Sequence, residues 1–131
     1  MINLSGKIIS RKKILIVEDN RMHSELVKII IQSSFDADIA IVENGLDALD
    51  KIEKGNVFDL IIIDIMIPKI NGLDVLKTIR KVYHKVPILM ISALNDKETV
   101  RKSFEYGATD YVDKPIQNEL FENKINYLLK G

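Results

Sequence analysis

The segment from Asp59 to Gly72, DLIIIDIMIPKING, decides how the rest of the chain is arranged. Its first half is a continuous apolar run that is interrupted by Asp64, and a proline and a glycine follow. A short apolar run bounded by turn residues indicates a strand buried on both faces. A buried carboxylate is costly unless a cation or hydrogen-bond donors meet it. Asp64 therefore indicates a functional site, although an aspartate that only caps the next turn would give the same local pattern.

On both sides of this segment, short apolar runs alternate with helical patterns. Besides the central strand, the predicted strands are 13–18 (KILIVE), 38–42 (DIAIV), 88–92 (ILMIS) after Pro87, and 109–112 (TDYV). Apolar residues at helical spacing follow each strand. They are Met22, Leu26, Ile29 and Ile30; Leu46, Leu49 and Ile52; Leu73, Val75, Leu76 and Ile79; a stretch from about Asp96 to Tyr106; and Leu120, Phe121, Ile125 and Leu128 within about 117–129.

The helix ends are marked by capping residues. Asp19 or Asn20 is expected to cap the first helix. Asn44-Gly45 resembles a hairpin turn, but the apolar spacing after it favours a strand–helix turn. The helix that follows is expected to end at Gly55. Gly107 is expected to end the fourth helix at its C′ position.

Five strands alternating with five helices predict one α/β domain. Its expected architecture is a doubly wound, flavodoxin-like parallel sheet in the order 2-1-3-4-5, with helices on both faces. Residues 1–12 are expected to form an N-terminal arm, and residues 13–131 the domain itself.

Composition excludes several classes of function. The 131 residues carry 19 basic and 19 acidic side chains, so the net charge is zero and direct nucleic-acid binding is not expected. The absence of cysteine excludes disulfides and thiolate metal sites. No apolar run is long enough to span a membrane, and no secretion signal is evident, so we expect a cytoplasmic protein without membrane contact.

Polar side chains follow the apolar strands at positions that a parallel sheet brings to one edge. They are Glu18 and Asp19 after strand one, Asp64 after strand three, Ser92 after strand four, and Asp113 with Lys114 after strand five. Ligands of open parallel sheets bind at this edge. Carboxylates and water suit Mg²⁺, a lysine and a hydroxyl suit phosphoryl oxygens, and an aspartate can act as nucleophile. The set therefore predicts phosphoryl transfer onto an aspartate.

Four spaced fragments carry a family resemblance: IVEDN at 16–20, DIMIPKINGLDVL at 64–76, ISAL at 91–94 and GATDYVDKP at 107–115. Over about residues 13–130 the chain resembles the receiver domain of the two-component response-regulator family. The resemblance implies a phosphorelay signalling domain that assists its own phosphorylation and dephosphorylation but is not an enzyme in its own right. Its phosphoryl group would come from a sensor histidine kinase or a phosphotransfer protein.

The same resemblance implies a role for each residue of the acidic site. Asp64 matches the phosphorylated aspartate. Asp19 matches a direct ligand of Mg²⁺, and Glu18 matches the neighbouring acid that holds the ion through water. Asp64 and the backbone carbonyl of Met66 would complete the metal site. The acidic pair is Glu-Asp here rather than the commoner Asp-Asp.

The resemblance also implies a switch. Lys114 matches the lysine that contacts the phosphoryl group, and the Lys114–Pro115 bond is expected to be cis. Ser92 matches the switch hydroxyl, and Tyr111 matches the aromatic residue that changes rotamer. The surface of helix four, strand five and helix five would then be read by a downstream effector, an output domain or a second copy in a homodimer.

Two apolar residues suggest a hypothesis about phosphate lifetime. The family tunes loss of phosphate through the side chains two residues after the aspartate and two after the hydroxyl, which are Met66 and Leu94 here. Neither offers a polar group to position an attacking water, so we expect a long-lived aspartyl phosphate.

Other interpretations remain open at this point. A haloacid-dehalogenase-type hydrolase would need its aspartate in a DxD motif after the first strand, and a flavodoxin-like FMN carrier would need a hydroxyl- and glycine-rich loop where EDNRMHS stands. A degenerate receiver that only docks a partner would lack acceptor residues that this chain has. His23 and His84 are expected to be solvated and without partners at metal-ligand spacing, and neither is expected to be a phosphohistidine.

Overall fold

A computed structural model of the protein describes residues 8–130. Five strands alternate with five helices. The strands are β1 (Ile8–Val17), β2 (Phe35–Val42), β3 (Leu60–Asp64), β4 (Ile88–Ser92) and β5 (Asp110–Asp113). The helices are α1 (Arg21–Gln32), α2 (Gly45–Glu53), α3 (Gly72–Val82), α4 (Lys97–Glu105) and α5 (Asn118–Lys130).

All strand pairs are parallel, and the sheet has the order β2-β1-β3-β4-β5. This confirms the predicted topology. It places the carboxyl ends of β1, β3, β4 and β5 along one edge, where the sequence predicted a shared site.

Two apolar cores cover the sheet. One lies between the sheet and the helices α1 and α5, and the other faces α2 and α3. Neighbouring residues of a strand point to opposite faces, so Ile62 belongs to the first core and Ile63 to the second. All residues of β3 and β4 are buried, which explains why their sequences are apolar without alternation.

Capping side chains start four of the helices. Asn20, Asn44, Asn71 and Asp96 each accept a hydrogen bond from the backbone N–H three residues later. Asn44-Gly45 is therefore a strand–helix turn, as predicted. Gly107, with φ of 109°, follows the C-cap of α4 and so confirms the predicted end of that helix.

The strand boundaries differ from the prediction in three places. β1 begins at Ile8 rather than at residue 13, β2 begins at Phe35 rather than at 38, and β5 runs over 110–113. The extension of β1 pairs with β2 through a register shift between Ile8 and Lys12, and its charged residues hid it from a search for apolar runs. Residues 1–7 of the predicted arm lie outside the described residues.

Four apolar residues that were predicted on buried helix faces are exposed. They are Met22 and Ile29 of α1, Leu46 of α2 and Leu120 of α5. In α1, Val27 and Ile31 face the core instead, together with Ile30. Spacing alone could not choose among overlapping apolar stripes, because the choice depends on how the helix lies on the sheet.

The described helices include none that is both long enough and apolar enough to cross a bilayer.

Candidate functional site

The acidic residues that follow β1 and β3 converge at the carboxyl edge of the sheet. Glu18, Asp19 and Asp64 each bring one carboxylate oxygen within 4.8 Å of the others. Glu18 and Asp64 are buried, whereas Asp19 is exposed. The donor set is oxygen only, with one ligand open to solvent. It suits a hard divalent ion such as Mg²⁺, which keeps some of its waters.

Lys114 supplies the positive charge of the site. Its Nζ donates to Asp64 Oδ2 at 2.6 Å and to Glu18 Oε1 at 2.8 Å. Its backbone N–H donates to Ser92 O at 2.9 Å, which fixes the residue where β4 ends. The Lys114–Pro115 peptide is cis, as expected. One ammonium group thus pairs with two buried carboxylates, one after β1 and one at the end of β3.

The pocket shifts the protonation of its members. Burial raises the pKa of Glu18 to about 7, and the nearby Asp64 adds to the rise, while the hydrogen bond from Lys114 opposes it. For Lys114 itself, burial alone would lower the pKa. The hydrogen bonds and charges of Asp64 and Glu18 outweigh burial and raise it, so the ammonium stays charged.

The loop after β3 is fixed against the end of that strand. The backbone N–H of Met66 donates to Asp64 Oδ1 at 3.0 Å, and Gly72 N donates to Ile65 O at 2.8 Å. A Cβ atom at Gly72 would lie 2.4 Å from Asp64 O, so only glycine fits there without a shift. The side chain of Met66 is exposed. Its backbone carbonyl is the group that the family resemblance implies as a metal ligand.

The two residues predicted to form the switch meet at one loop residue. Ser92 is fully buried, and its Oγ accepts a hydrogen bond from Leu94 N at 2.9 Å. The hydroxyl of Tyr111 donates to the backbone carbonyl of Leu94. Burial raises the pKa of Tyr111, so this hydroxyl keeps its proton near neutral pH. The arrangement links both side chains to the loop between β4 and α4.

Two open grooves lie at opposite ends of the sheet. One of about 510 Å³ is lined by Asp19, Met66 and Leu94 beside the acidic cluster. Another of about 650 Å³ lies by Val57, Val82 and other residues at the far edge and contains no predicted site residue. The predicted site residues therefore lie at the smaller groove, although its lining is mostly apolar.

Sequence reasoning missed one contact of the site. His23 Nδ1 lies 3.5 Å from Glu18 Oε1 and is buried, so this edge of the ring is not solvated as predicted. His84 is exposed, as predicted. The position of His23 offered a signal, because the third residue of a helix can reach back towards its N-cap. Here the cap is Asn20, directly after the acidic pair.

Comparisons with known proteins agree with one another. A family model described as the response regulator receiver domain matches residues 14–126. The chain is 40% identical over 105 residues to the transcriptional regulatory protein CusR of Escherichia coli K12, which covers 79% of this chain and 45% of that protein. It is 35% identical over 106 residues to a protein-glutamate methylesterase/protein-glutamine glutaminase of Pyrococcus abyssi, which covers 79% of this chain and 28% of that protein. The chain thus spans about half, or less, of the length of these curated relatives.

Solved structures give the same result. The response regulatory domain of protein mrkE from Klebsiella pneumoniae is 31% identical, with a TM-score of 0.82 over 90% of this chain and 95% of that one. A two-component response regulator from Clostridium difficile is 26% identical, with a TM-score of 0.84 over 91% of this chain and 96% of that one.

Proposed function

The chain belongs to the response regulator receiver domain family, and from this premise we propose that it accepts a phosphoryl group on Asp64. The observation that carries the proposal is the bridge from Lys114 Nζ to buried Asp64 and Glu18, with Asp19 in the same cluster. This arrangement holds a nucleophile, a cation for phosphoryl oxygens and an oxygen-rich metal site within one small pocket.

The donor is a phosphohistidine of a sensor histidine kinase or a phosphotransfer protein. An oxygen of the Asp64 carboxylate attacks phosphorus, the new O–P bond forms, and the P–N bond to the imidazole breaks. The imidazole leaves with the electron pair of that bond and is protonated. Lys114 moves from the carboxylates to the arriving phosphoryl oxygens, which its Nζ can reach because it already touches Asp64.

Glu18, Asp19, Asp64 and the Met66 carbonyl are the groups that would hold Mg²⁺. When bound, the ion would neutralise charge on the phosphoryl oxygens during transfer. The three carboxylates fit this ion by type and by mutual distance.

Phosphorylation changes the face formed by α4, β5 and α5. Ser92 Oγ now accepts a hydrogen bond from Leu94 N, and it gives up this bond when it turns towards the phosphoryl group. Tyr111, whose hydroxyl donates to the carbonyl of Leu94, moves with the same loop. α4 buries only Ser103, so few apolar contacts oppose its displacement. A nearly complete shift between two states requires about 5 kcal/mol of differential binding.

The changed face would be read by an effector, an output domain or a second copy of the chain. Relatives such as CusR and the methylesterase are about twice as long or longer, which supports an output activity outside the matched region. Direct contact with nucleic acid or membrane is not part of this proposal, since the chain has zero net charge. We also propose that the protein is located in the cytoplasm.

The test is labelling with acetyl phosphate and Mg²⁺, followed by intact-protein mass spectrometry. We expect a labile adduct of one phosphoryl group that is absent from Asp64→Asn and present in Asp50→Asn, a matched control at an exposed aspartate of α2. An unlabelled protein would support a docking module instead. Rapid release of phosphate from many substrates would support a hydrolase, although a nucleophile on β3 does not match the first-strand position which that class requires.

A second experiment addresses the switch. Ser92→Ala should take phosphate on Asp64, yet the amide NMR signals of α4 should change much less on phosphorylation than they do in the unaltered protein. Equal changes in both proteins would contradict the proposed role of Ser92.

A further inference from the structure

His23 directs a buried nitrogen at the acidic pocket. Its Nδ1 lies 3.5 Å from Glu18 Oε1, and among the described residues it has no hydrogen-bond partner. The ring as a whole is partly exposed, so only this edge of it is withdrawn from water. A buried polar atom without a partner is uncommon and calls for an explanation.

The backbone holds His23 in this place. Asn20 N donates to Glu18 Oε2 at 3.2 Å, and Asn20 Oδ1 accepts from His23 N at 3.2 Å. The N-cap of α1 therefore ties the Glu18 carboxylate to the backbone of His23. The ring cannot leave Glu18 unless its side chain rotates or the cap breaks.

Glu18 Oε1 has a second nitrogen beside it, and that nitrogen is shared. Lys114 Nζ serves Glu18 Oε1 and Asp64 Oδ2 together. In the proposed transfer, Lys114 turns to the phosphoryl group, and Glu18 then loses its side-chain donor. Among the described residues, His23 is the other side chain with a nitrogen that an ion pair could use within 4 Å of Glu18 Oε1.

We propose that His23 is a positioning residue for Glu18, whose carboxylate it holds towards the metal site through a hydrogen bond from Nδ1–H. The imidazole donates through Nδ1 and is not itself a metal ligand. Groups that orient a ligand of a metal typically change metal affinity by about 10–100-fold when they are removed. This inference rests on the proposed function, because it assumes that Glu18 helps to hold Mg²⁺.

The test is a Mg²⁺ titration followed by NMR without any phosphodonor, so that it measures binding rather than activity. An asparagine amide nitrogen can occupy the place of Nδ1, whereas a glutamine amide reaches further out, to about the place of Nε2. His23→Ala and His23→Gln should weaken Mg²⁺ binding by about tenfold. His23→Asn should stay near the affinity of the unaltered protein, as should His84→Ala, in which the exposed histidine is removed.

Unfolding by urea with EDTA present separates positioning from a structural role. We expect equal midpoints for His23→Asn and His23→Gln despite their different Mg²⁺ affinities. Equal Mg²⁺ binding by these two variants, or unchanged binding by His23→Ala, would overturn the inference, and the Asn–Gln pair still decides it if the alanine variant does not fold. If the unaltered protein binds no Mg²⁺ and takes no phosphate, the proposed function fails instead.

Discussion

Lys114 Nζ lies 2.6 Å from Asp64 Oδ2, and the exposed fractions of the two side chains are 14% and 6%. The same nitrogen also touches Glu18, so one positive charge is shared by two buried carboxylates. Removal of one partner from a buried ion pair is strongly destabilising, because the remaining charge is left uncompensated. The stability of the metal-free protein therefore depends on this lysine.

Lys114→Met should lower the free energy of unfolding at pH 8 in EDTA by about 3 kcal/mol. Mg²⁺ should restore more stability to this variant than to the unaltered protein, because a cation would replace the lost ammonium. Urea unfolding followed by circular dichroism measures both effects.

The control is Lys124→Met, which breaks the partly exposed Lys124–Asp110 pair. Pairs of that kind contribute about 1 kcal/mol or less. Equal losses of unfolding free energy in the two variants would show that burial does not make the Lys114 ion pair more stabilising than a partly exposed one.

Glu18 should make the metal-free protein less stable as the pH rises. Its pKa is about 7 in the folded state against an ordinary value of 4.5, so the folded state binds more protons between these values. The free energy of unfolding then falls as pH rises through this window. Urea unfolding in EDTA at several pH values between 5 and 8 measures the slope.

Glu18→Gln should flatten that slope and leave the variant more stable than the unaltered protein at pH 8. Mg²⁺ affinity of the unaltered protein should rise with pH through the same window, because a carboxylate must lose its proton to assist a metal. A slope that persists unchanged in the glutamine variant would assign the effect to another group.

Met66 and Leu94 should prolong the life of the aspartyl phosphate. Both are exposed, at 59% and 39%, and line the groove beside the acidic cluster without offering a hydrogen bond to water from their side chains. Met66→Asn or Leu94→Glu should shorten the half-life by about tenfold or more, as expected when a polar group can position water or take its proton. Decay of the labelled protein with Mg²⁺ present gives the half-life.

Val82→Asn is the matched control, since Val82 is equally exposed but lies at the opposite groove. Half-lives that are the same in all four proteins would refute the hypothesis.

Gly72→Ala should disturb the site through the backbone. The added Cβ would lie 2.4 Å from Asp64 O and 2.6 Å from Ile65 Cα, so the end of β3 must shift. We expect a loss of about 1–3 kcal/mol in stability together with slower labelling of Asp64 by acetyl phosphate.

Gly55→Ala provides the comparison. Its φ of 85° disfavours alanine, yet among the described residues none other than its chain neighbours comes within 4 Å of the added Cβ. It should lose about 1–2 kcal/mol in stability and keep the labelling rate. Equal labelling by Gly72→Ala and the unaltered protein would remove the link between this contact and the position of Asp64.

The sequence by itself determined the topology and the members of the acidic site. Apolar runs buried on both faces require a covered parallel sheet, and a parallel sheet brings Glu18, Asp64 and Lys114 to one edge whatever the details of packing. The N-cap of α1 and the glycine that ends α4 were also evident in the sequence, because a short polar side chain before an apolar pattern satisfies free backbone N–H groups and glycine accepts a positive φ.

The tertiary structure alone decided three things. It chose which apolar stripe of α1 faces the sheet and so left Met22 exposed; it continued β1 to Ile8 by pairing a charged segment with β2; and it turned His23 towards Glu18. Each depends on where one element lies against another. Periodicity in the sequence records which side chains share a face, but the packing of neighbouring elements fixes the direction of that face and the distance across it.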